Sequence, residues 1–232
     1  MSSIDIRGHP KYYDVYISGP QNNLKLYTKN LVPGRSVYGE RLVSFRDVEY
    51  REWDPFRSKL AALLLKNPTS NFLSKDMNCL YLGASSGTTI SHLSDIVKEG
   101  VIFGVEFATR SIRQLIQNTS ERTNIIPILG DAIFPASYAK SIFTEIELVY
   151  QDVAQPNQAE IAVDNCNYYL KKGGFLILAI KSQSIDSLAK IDKVYSQEKK
   201  ILERSGYEIV ESVNIDRFAE KHIVLIAKKK II

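Results

Sequence analysis

The stretch NCLYLGASSGTTISHLSDIVKEGVIFGVEF, residues 78–107, decides the fold. The apolar run "NCLYLG" predicts a strand, "TTISHLSDIVKEG" a helix and "VIFGVEF" a second strand. A glycine turn joins the first strand to the helix. Strand, helix and strand in this order predict two neighbouring parallel strands with the helix packed on the sheet.

The same alternation continues downstream. Apolar runs predict strands over residues 124–129, 146–152, 174–181, 207–214 and 222–228, and periodic segments predict helices over 109–119, 158–174 and about 187–204. No helical segment separates the final two strands, so one of them must run against the others. We therefore predict an α/β fold: a Rossmann-like, doubly wound, mostly parallel sheet of seven strands whose last strand is antiparallel.

The segment before this unit has a different pattern. Residues 12–18, 24–28 and 41–53 predict strands, and "SGPQNN" and "VPGRSVYG" between them supply turn residues. Asp54 and Pro55 predict a helix start, and Asn67-Pro68 its end. We expect a small antiparallel β module over residues 1–53 and the large domain over 54–232.

Composition limits the class of protein only loosely. The 232 residues include 30 basic and 26 acidic side chains, so the net charge of +4 only suggests nucleic-acid binding and does not decide the partner. Cys79 and Cys166 lie in apolar surroundings and predict buried, reduced thiols. No secretory segment and no apolar run of about 18 residues is seen. These features predict a cytosolic protein, or a nuclear one if the source has a nucleus, with no membrane partner.

The glycine turn "YLGASSGTT", residues 81–89, lies where sheets of this kind bind ligands. Gly83 and Gly87 would let the backbone approach a ligand, and Thr88 or Thr89 would cap the helix. The fingerprint G-x-G-x-x-G is absent, which argues against a dinucleotide. By itself this turn is equally well explained as a structural element.

Acidic residues end the next two strands. Glu106 lies 23 residues after Gly83, the position from which such folds hold ribose hydroxyls. Asp131, in "ILGDAIF", would accept a hydrogen bond from an adenine amino group. Together they predict an adenosine ligand without a diphosphate, and S-adenosylmethionine fits.

Five blocks carry a family resemblance: "GASSGTTISHLSDIV", "GVEFATRSIRQLI", "RTNIIPILGDA", "DVAQPNQ" and "GGFLILAIKSQSID". In this order they resemble fibrillarin, the box C/D ribonucleoprotein 2′-O-methyltransferase, over about residues 51–222. The start of the chain lacks a glycine- and arginine-rich tail and so resembles archaeal members. The resemblance implies an S-adenosylmethionine-dependent enzyme that methylates ribose 2′-hydroxyls in pre-rRNA and tRNA.

The resemblance also implies site residues. The catalytic set falls on Lys59, Asp152, Lys181 and His222. The expected cofactor contacts, with those of the glycine turn included, are Gly83, Ala84, Ser85, Gly87, Thr88, Thr89, Glu106, Phe107, Asp131, Ala132, Asp152, Val153, Ala154 and Gln155. No metal ligand is implied. Glu220 and Lys221 depart from the family pattern before the histidine, where it has a basic residue followed by Asp.

The expected chemistry is in-line methyl transfer to a hydroxyl. Asp152 would raise the pKa of a nearby lysine, so we expect Lys181 and Asp152 to orient the hydroxyl, with Lys181 as base the alternative. His222 would relay a proton or contact the RNA backbone. Lys59 would hold a phosphate or orient the ribose. Taken singly, the lysines are more often solvated surface charges and the histidine a packing residue; only their joint occurrence in the family's order favours the catalytic interpretation.

In the segment YQDVAQPNQ, residues 150–158, an apolar strand ends in a carboxylate and several amides. We expect Asp152 there to meet both the methyl donor and Lys181, Gln155 to close over the cofactor, and Pro156 to start the next helix.

The resemblance implies partners as well: a Nop-type scaffold protein, a box C/D guide RNA, a kink-turn-binding protein, and rRNA or tRNA as substrate. The tyrosines of the β module would add partner surface. Two other functions stay open: a structural, cofactor-binding subunit of the particle, and a protein methyltransferase acting on glutamine.

Overall fold

Two β-sheets form the frame of the protein in the computed structural model, which describes residues 5–231. The first is antiparallel, with the order β1-β2-β3-β5-β4. Its strands are β1 (Arg7–Gly8), β2 (Val15–Ser18), β3 (Lys25–Lys29), β4 (Leu42–Phe45) and β5 (Val48–Trp53). The small β module is thus formed as predicted.

The prediction of one long strand over residues 41–53 was wrong. Arg46 and Asp47 have φ values of 50° and 62°, so the chain turns tightly there and pairs β4 with β5 as a hairpin. Such turns usually carry Asn-Gly or Asp-Gly, and a charged pair gives no turn signal.

The second sheet has seven strands in the order β11-β12-β10-β9-β6-β7-β8. They are β6 (Cys79–Leu82), β7 (Ile102–Glu106), β8 (Ile125–Leu129), β9 (Ile146–Gln151), β10 (Leu170–Lys181), β11 (Tyr207–Asn214) and β12 (His222–Lys229). β12 is antiparallel to both of its neighbours, and β6 to β10 pair in parallel. The predicted α/β fold with an antiparallel last strand is confirmed.

The helices are α1 (Lys59–Leu65), α2 (Thr88–Ile96), α3 (Thr109–Thr119), α4 (Gln158–Tyr169), α5 (Ser182–Ile185) and α6 (Ile191–Arg204). A 3-10 helix over Pro135–Ser141 gave no sequence signal. Among residues 5–231, no helix combines the length and apolar character needed to cross a bilayer.

Predicted helix boundaries need correction in four helices. α2 ends at Ile96, not at residue 100, and α6 begins at Ile191, not at about 187. α1 begins at Lys59 because Ser58 caps it, whereas Asp54 accepts the Phe56 N–H and closes a turn. α4 begins at Gln158, two residues after Pro156. It also stops before residue 174, because the strand takes over at Leu170, which is in register with Ile146 of β9.

Apolar side chains pack on both faces of the large sheet, and residues of the small sheet share one of these clusters. The division of the chain at residue 54 stays a prediction. Cys79 and Cys166 are buried free thiols, as expected.

A polar network, which we call the inter-sheet network, is buried between the small sheet and α2. The guanidinium of Arg51, with no exposed surface, donates to Glu40 at 2.6 Å and to Asp95 at 2.8 Å. Arg122 donates to the other oxygen of Asp95 at 2.6 Å. Burial lowers the pKa of the neighbouring His92 well below its usual value, so that imidazole is neutral. These charges satisfy one another and fix the small sheet against the helix that follows the glycine turn.

Candidate active site

The candidate site lies where the strand order of the large sheet reverses. From β6 the chain continues through β7 and β8 on one side and returns through β9 and β10 on the other. The carboxyl ends of β6 and β9 therefore flank the crevice in which open α/β sheets bind ligands. Gly83 follows β6, and Asp152 follows β9.

These two residues are in close contact. Gly83 has a φ of +83°, and a Cβ at that position would lie 2.4 Å from the carbonyl oxygen of Asp152. Only glycine permits both the conformation and the approach. We expected the absence of a side chain at Gly83 to make room for a ligand. It makes room instead for the backbone carbonyl oxygen of Asp152.

Glu106 ties the second strand to the glycine turn. One carboxylate oxygen accepts the Ser85 N–H at 2.9 Å, and the other accepts the Ala108 N–H at 2.8 Å. The side chain is buried, yet each oxygen keeps lone-pair capacity for a further donor. It can therefore accept ribose hydroxyls, the role predicted for it.

A cavity of about 300 Å³ opens among these strand ends. Its walls are Gly83, Ser85, Val105, Glu106, Phe107, Gly130, Ala132, Asp152, Val153, Ala154 and Gln155. Nine of the fourteen predicted cofactor contacts are among them, and Val105 and Gly130 were missed. All wall residues except Val105 lie at or just after the carboxyl end of a parallel strand. Val105 lies within β7, and its apolar side chain gave no sign of a binding role.

The other five predicted contacts lie outside this wall. Ala84 is buried, and Gly87 caps α2 through its left-handed backbone, with no side-chain bond. The predicted threonine cap was wrong: Thr88 begins the helix, and the Thr89 hydroxyl donates to Ser58 at 2.9 Å.

Asp131 is the fifth. One of its oxygens accepts the Ile133 N–H at 3.0 Å and lies 3.4 Å from the Gln155 amide nitrogen. It therefore lies beside the cavity and contacts one of its wall residues.

The charge of the cavity wall has one sign. Glu106 and Asp152 are carboxylates, and none of the described residues that form the wall is a lysine or an arginine. A diphosphate would find no counter-charge here, whereas a cationic group would. Apolar surface from Val105, Ala132 and Val153 suits a base and a methylene chain. The wall therefore fits a nucleoside that carries a sulfonium.

Asp152 is paired, but with a different lysine from the one expected. Its Oδ2 lies 2.8 Å from Nζ of Lys59. Within the described part of the chain, Lys181 has no ion pair within 4.0 Å. The expected Lys181–Asp152 pair is thus replaced by Lys59–Asp152, because Ser58 bonds to Thr89 and holds the start of α1 beside the glycine turn.

His222 lies directly across the β10–β12 pair from Lys181. Its Nδ1 is 2.6 Å from the Glu220 carbonyl oxygen, which can only accept, so Nδ1 carries the proton and Nε2 is free to accept. Burial lowers the pKa of His222; Lys59 and Lys181 lower it further, against the hydrogen bond and the charge of Asp152. The four predicted catalytic residues thus share one electrostatic environment.

The departure from the family pattern at Glu220 has a structural outcome. Its backbone carbonyl orients His222, while its side chain is 82% exposed.

Two buried side chains that support this site were not assigned a role from the sequence. Gln158 accepts the Lys181 N–H at 3.0 Å, and its own carbonyl accepts from Gln151 at 2.7 Å, which joins the ends of β9 and β10. Glu198 accepts the Ala159 N–H at 2.8 Å at the start of α4. Burial raises the pKa of Glu198 to about 7.

The signal for Glu198 is present in the sequence. It lies four residues from both Val194 and Leu202, in the apolar stripe of α6.

The chain is similar to known proteins of one family. The family model described as Fibrillarin matches residues 6–231. The chain is 46% identical over 231 residues to a "Fibrillarin-like rRNA/tRNA 2'-O-methyltransferase" of Pyrobaculum islandicum, covering 98% of each chain.

Solved structures are also similar. An Aeropyrum pernix fibrillarin, in complex with natively bound S-adenosyl-L-methionine, has a TM-score of 0.89 and 43% identity, over 98% of this chain and 100% of that one. A chain of a fibrillarin/Nop5p complex has a TM-score of 0.81 and 41% identity, over 88% and 94%.

Proposed function

Because the chain belongs to the fibrillarin family, we propose that it is an S-adenosylmethionine-dependent RNA ribose 2′-O-methyltransferase acting on rRNA and tRNA. The observation that carries this proposal is a cavity whose described wall residues include two carboxylates and no lysine or arginine, next to a catalytic cluster. Asp152 is part of both the cavity wall and the catalytic cluster. A sulfonium-bearing nucleoside and an RNA strand would therefore meet there.

Residues of the cavity would hold the cofactor by its separate chemical groups. Glu106 would accept from the ribose hydroxyls, and Asp131 or Gln155 would contact the adenine amino group. When bound, the sulfonium would supply an activated methyl carbon for the RNA 2′-oxygen.

The chain's own residues would align the RNA hydroxyl and remove its proton. Asp152, held by Lys59, would orient the hydroxyl; alignment of this kind contributes on the order of 7–11 kcal/mol at best. Nε2 of His222 would accept the proton, since a neutral imidazole is available at neutral pH when its pKa is lowered. Lys181 would keep that imidazole neutral through its charge.

Choice of the nucleotide would lie with partners. We propose a Nop-type scaffold, a box C/D guide RNA and a kink-turn-binding protein in one particle. The similar chain in a fibrillarin/Nop5p complex supports the scaffold, while the guide RNA and the kink-turn protein are carried only by the sequence resemblance described above.

Reconstitution with these partners, a substrate RNA and labelled cofactor tests the proposal. Label should appear on the ribose opposite the guide. Lys59→Met should lower it about 10²-fold, while Lys66→Met, which removes an exposed lysine at the other end of α1, should leave it unchanged. Label on a protein glutamine and none on RNA would instead support a protein methyltransferase.

A further inference from the structure

β10 extends further at its carboxyl end than the parallel strand beside it. Its pairing with β9 ends where Leu178 lies opposite Gln151, whereas its pairing with β12 continues to Lys181 opposite His222. Lys181 therefore lies beyond the reach of β9. An N–H of β10 that points to this side has no strand acceptor, and the chain must satisfy it in another way.

The side chain of Gln158 takes the place of the missing strand. Its Oε1 accepts the Lys181 N–H at 3.0 Å, and its Nε2 lies 3.5 Å from the Lys181 carbonyl oxygen. A carboxamide carries the same kinds of donor and acceptor as a peptide group, so it can pair with the backbone of a strand. Gln158 is fully buried, and water does not compete for these bonds.

Gln158 is also tied to the end of β9. Its own carbonyl oxygen accepts from the Gln151 side chain at 2.7 Å. Gln151 directly precedes Asp152, whose N–H donates to the Leu82 carbonyl of β6 at 3.0 Å. Because Gln158 is the first residue of α4, the packing of this helix sets the spacing between the carboxyl ends of β9 and β10.

The bond to Gln158 determines how Lys181 faces His222. Because the Lys181 N–H points to Gln158 and away from β12, Lys181 and His222 form a non-hydrogen-bonded antiparallel pair. The Cα atoms of such a pair are about 4.5 Å apart, and the side chains lie closer together than in a hydrogen-bonded pair. The charges that act on His222 come from Lys59 of α1, from Asp152 after β9 and from Lys181 of β10. A shift of the Lys181 backbone would change this set.

We propose that Gln158 is a positioning residue for the methyl transfer: through the Lys181 backbone it holds the Lys181 ammonium beside His222. Only the effect on the reaction rests on the proposed function. The bond to Lys181 and the influence on His222 are measurable in the chain by itself.

Hydrogen exchange of the Lys181 amide in the full chain, followed by NMR, is the first test. In the wild type this N–H should be protected like the paired amides of β10, although β9 does not reach it. Gln158→Met, which has a similar size but no amide, should exchange at least about fivefold faster at Lys181. Gln158→Glu keeps an acceptor and should retain the protection.

The matched control is Asn124→Leu. Asn124 is buried just before β8, at the opposite end of the sheet, and donates to the carbonyls of Ser94 and Val97. This variant also loses buried hydrogen bonds, but it should leave the exchange of the Lys181 amide unchanged.

Titration of the His222 imidazole by NMR is the second test. The Lys181 charge lowers the pKa of His222, so withdrawal of Lys181 in Gln158→Met should raise that pKa, and Asn124→Leu should not change it. In the reconstituted particle, the acid limb of kcat/KM should move to higher pH in Gln158→Met. Its kcat should fall about tenfold, with the KM for RNA and the cofactor Kd unchanged.

These measurements separate the proposed function from the role of Gln158. A wild-type particle that transfers no methyl group refutes the proposed function, while exchange and titration still decide on Gln158. An unprotected Lys181 amide in the wild type, or wild-type exchange in Gln158→Met, would overturn the proposal, as would an equal change of the His222 pKa in Gln158→Met and Asn124→Leu. If Gln158→Met does not fold, Gln158→Asn replaces it, because its amide is one methylene too short to reach Lys181.

Discussion

Replacing Gly83 by alanine tests how tightly the glycine turn and the catalytic strand end are packed. The new Cβ would lie 2.4 Å from the Asp152 carbonyl oxygen, and real Cβ contacts stay above 3.0 Å. The backbones of residues 83 and 152 must therefore move apart by at least about 0.6 Å. The neighbouring atom is backbone, so no side-chain rotation relieves the contact.

The expected functional loss follows from that displacement. Asp152 carries the carboxylate that holds Lys59, so a shift of its backbone moves the groups that align the RNA hydroxyl. A misplacement approaching 1 Å costs on the order of 10²-fold in rate. The left-handed backbone at residue 83 adds about 1–2 kcal/mol of lost stability.

Gly206→Ala is the matched control. Gly206 has a φ of +89°, but no atom of the described residues lies within 4 Å of the position that a Cβ would take there, so this variant carries the conformational cost without the steric clash. Urea denaturation should show a loss of about 1–2 kcal/mol for Gly206→Ala and a larger loss for Gly83→Ala, and single-turnover transfer should fall only for Gly83→Ala. Wild-type transfer by Gly83→Ala, or an equal loss in Gly206→Ala, would refute this reasoning.

Three further predictions concern ionisable groups. Lys59→Met should lower single-turnover transfer about 10²-fold with an unchanged cofactor Kd, because Asp152 loses the cation that orients it; a weakened cofactor with a normal rate would contradict this. The acid limb of kcat/KM should have its midpoint below 6.5, because the pKa of His222 is lowered and its neutral form is active, and His222→Asn should remove that limb. The pKa of Glu198 is about 7 in the folded protein and 4.5 as its ordinary value, so its contribution to stability is present below about 4.5 and is lost as the pH rises through 7. The free energy of unfolding of the wild type should then fall by up to about 3 kcal/mol between pH 4.5 and 8 relative to Glu198→Gln, measured by urea denaturation at each pH.

Much of the fold follows from patterns that act over short distances. The strand–helix alternation from residue 78 to residue 204 depends on local apolar periodicity, and it predicted the parallel sheet. The antiparallel last strand followed from the missing helix before His222. The hairpin at Arg46 could not be predicted, because a charged pair gives no turn signal. The start of α1 at Ser58 could not be predicted either, because Asp54 is a typical helix cap but closes a turn here.

The candidate site also has a part that could be predicted from the sequence and a part that could not. Its cavity wall was largely predictable because the carboxyl ends of parallel strands meet at one edge of a sheet. The pairing of Lys59 with Asp152 joins residues 93 positions apart and depends on how α1 lies across the glycine turn. Burial of Gln158 and Glu198 depends on the packing of α4 and α6, and polar residues are expected at the surface by default.

The inter-sheet network restricts which substitutions the chain tolerates and which segments can be exchanged with a relative. Loss of one member of the set Arg51, Glu40 and Asp95 leaves an uncompensated buried charge, which costs about 3–5 kcal/mol. That is a large share of the roughly 5–15 kcal/mol by which a domain is usually stable. With Arg122, the other partner of Asp95, the four positions can therefore change only together. A chimera that takes its first 53 residues from a relative should fold well only if that relative supplies charges at positions 40 and 51 that match Asp95 and Arg122.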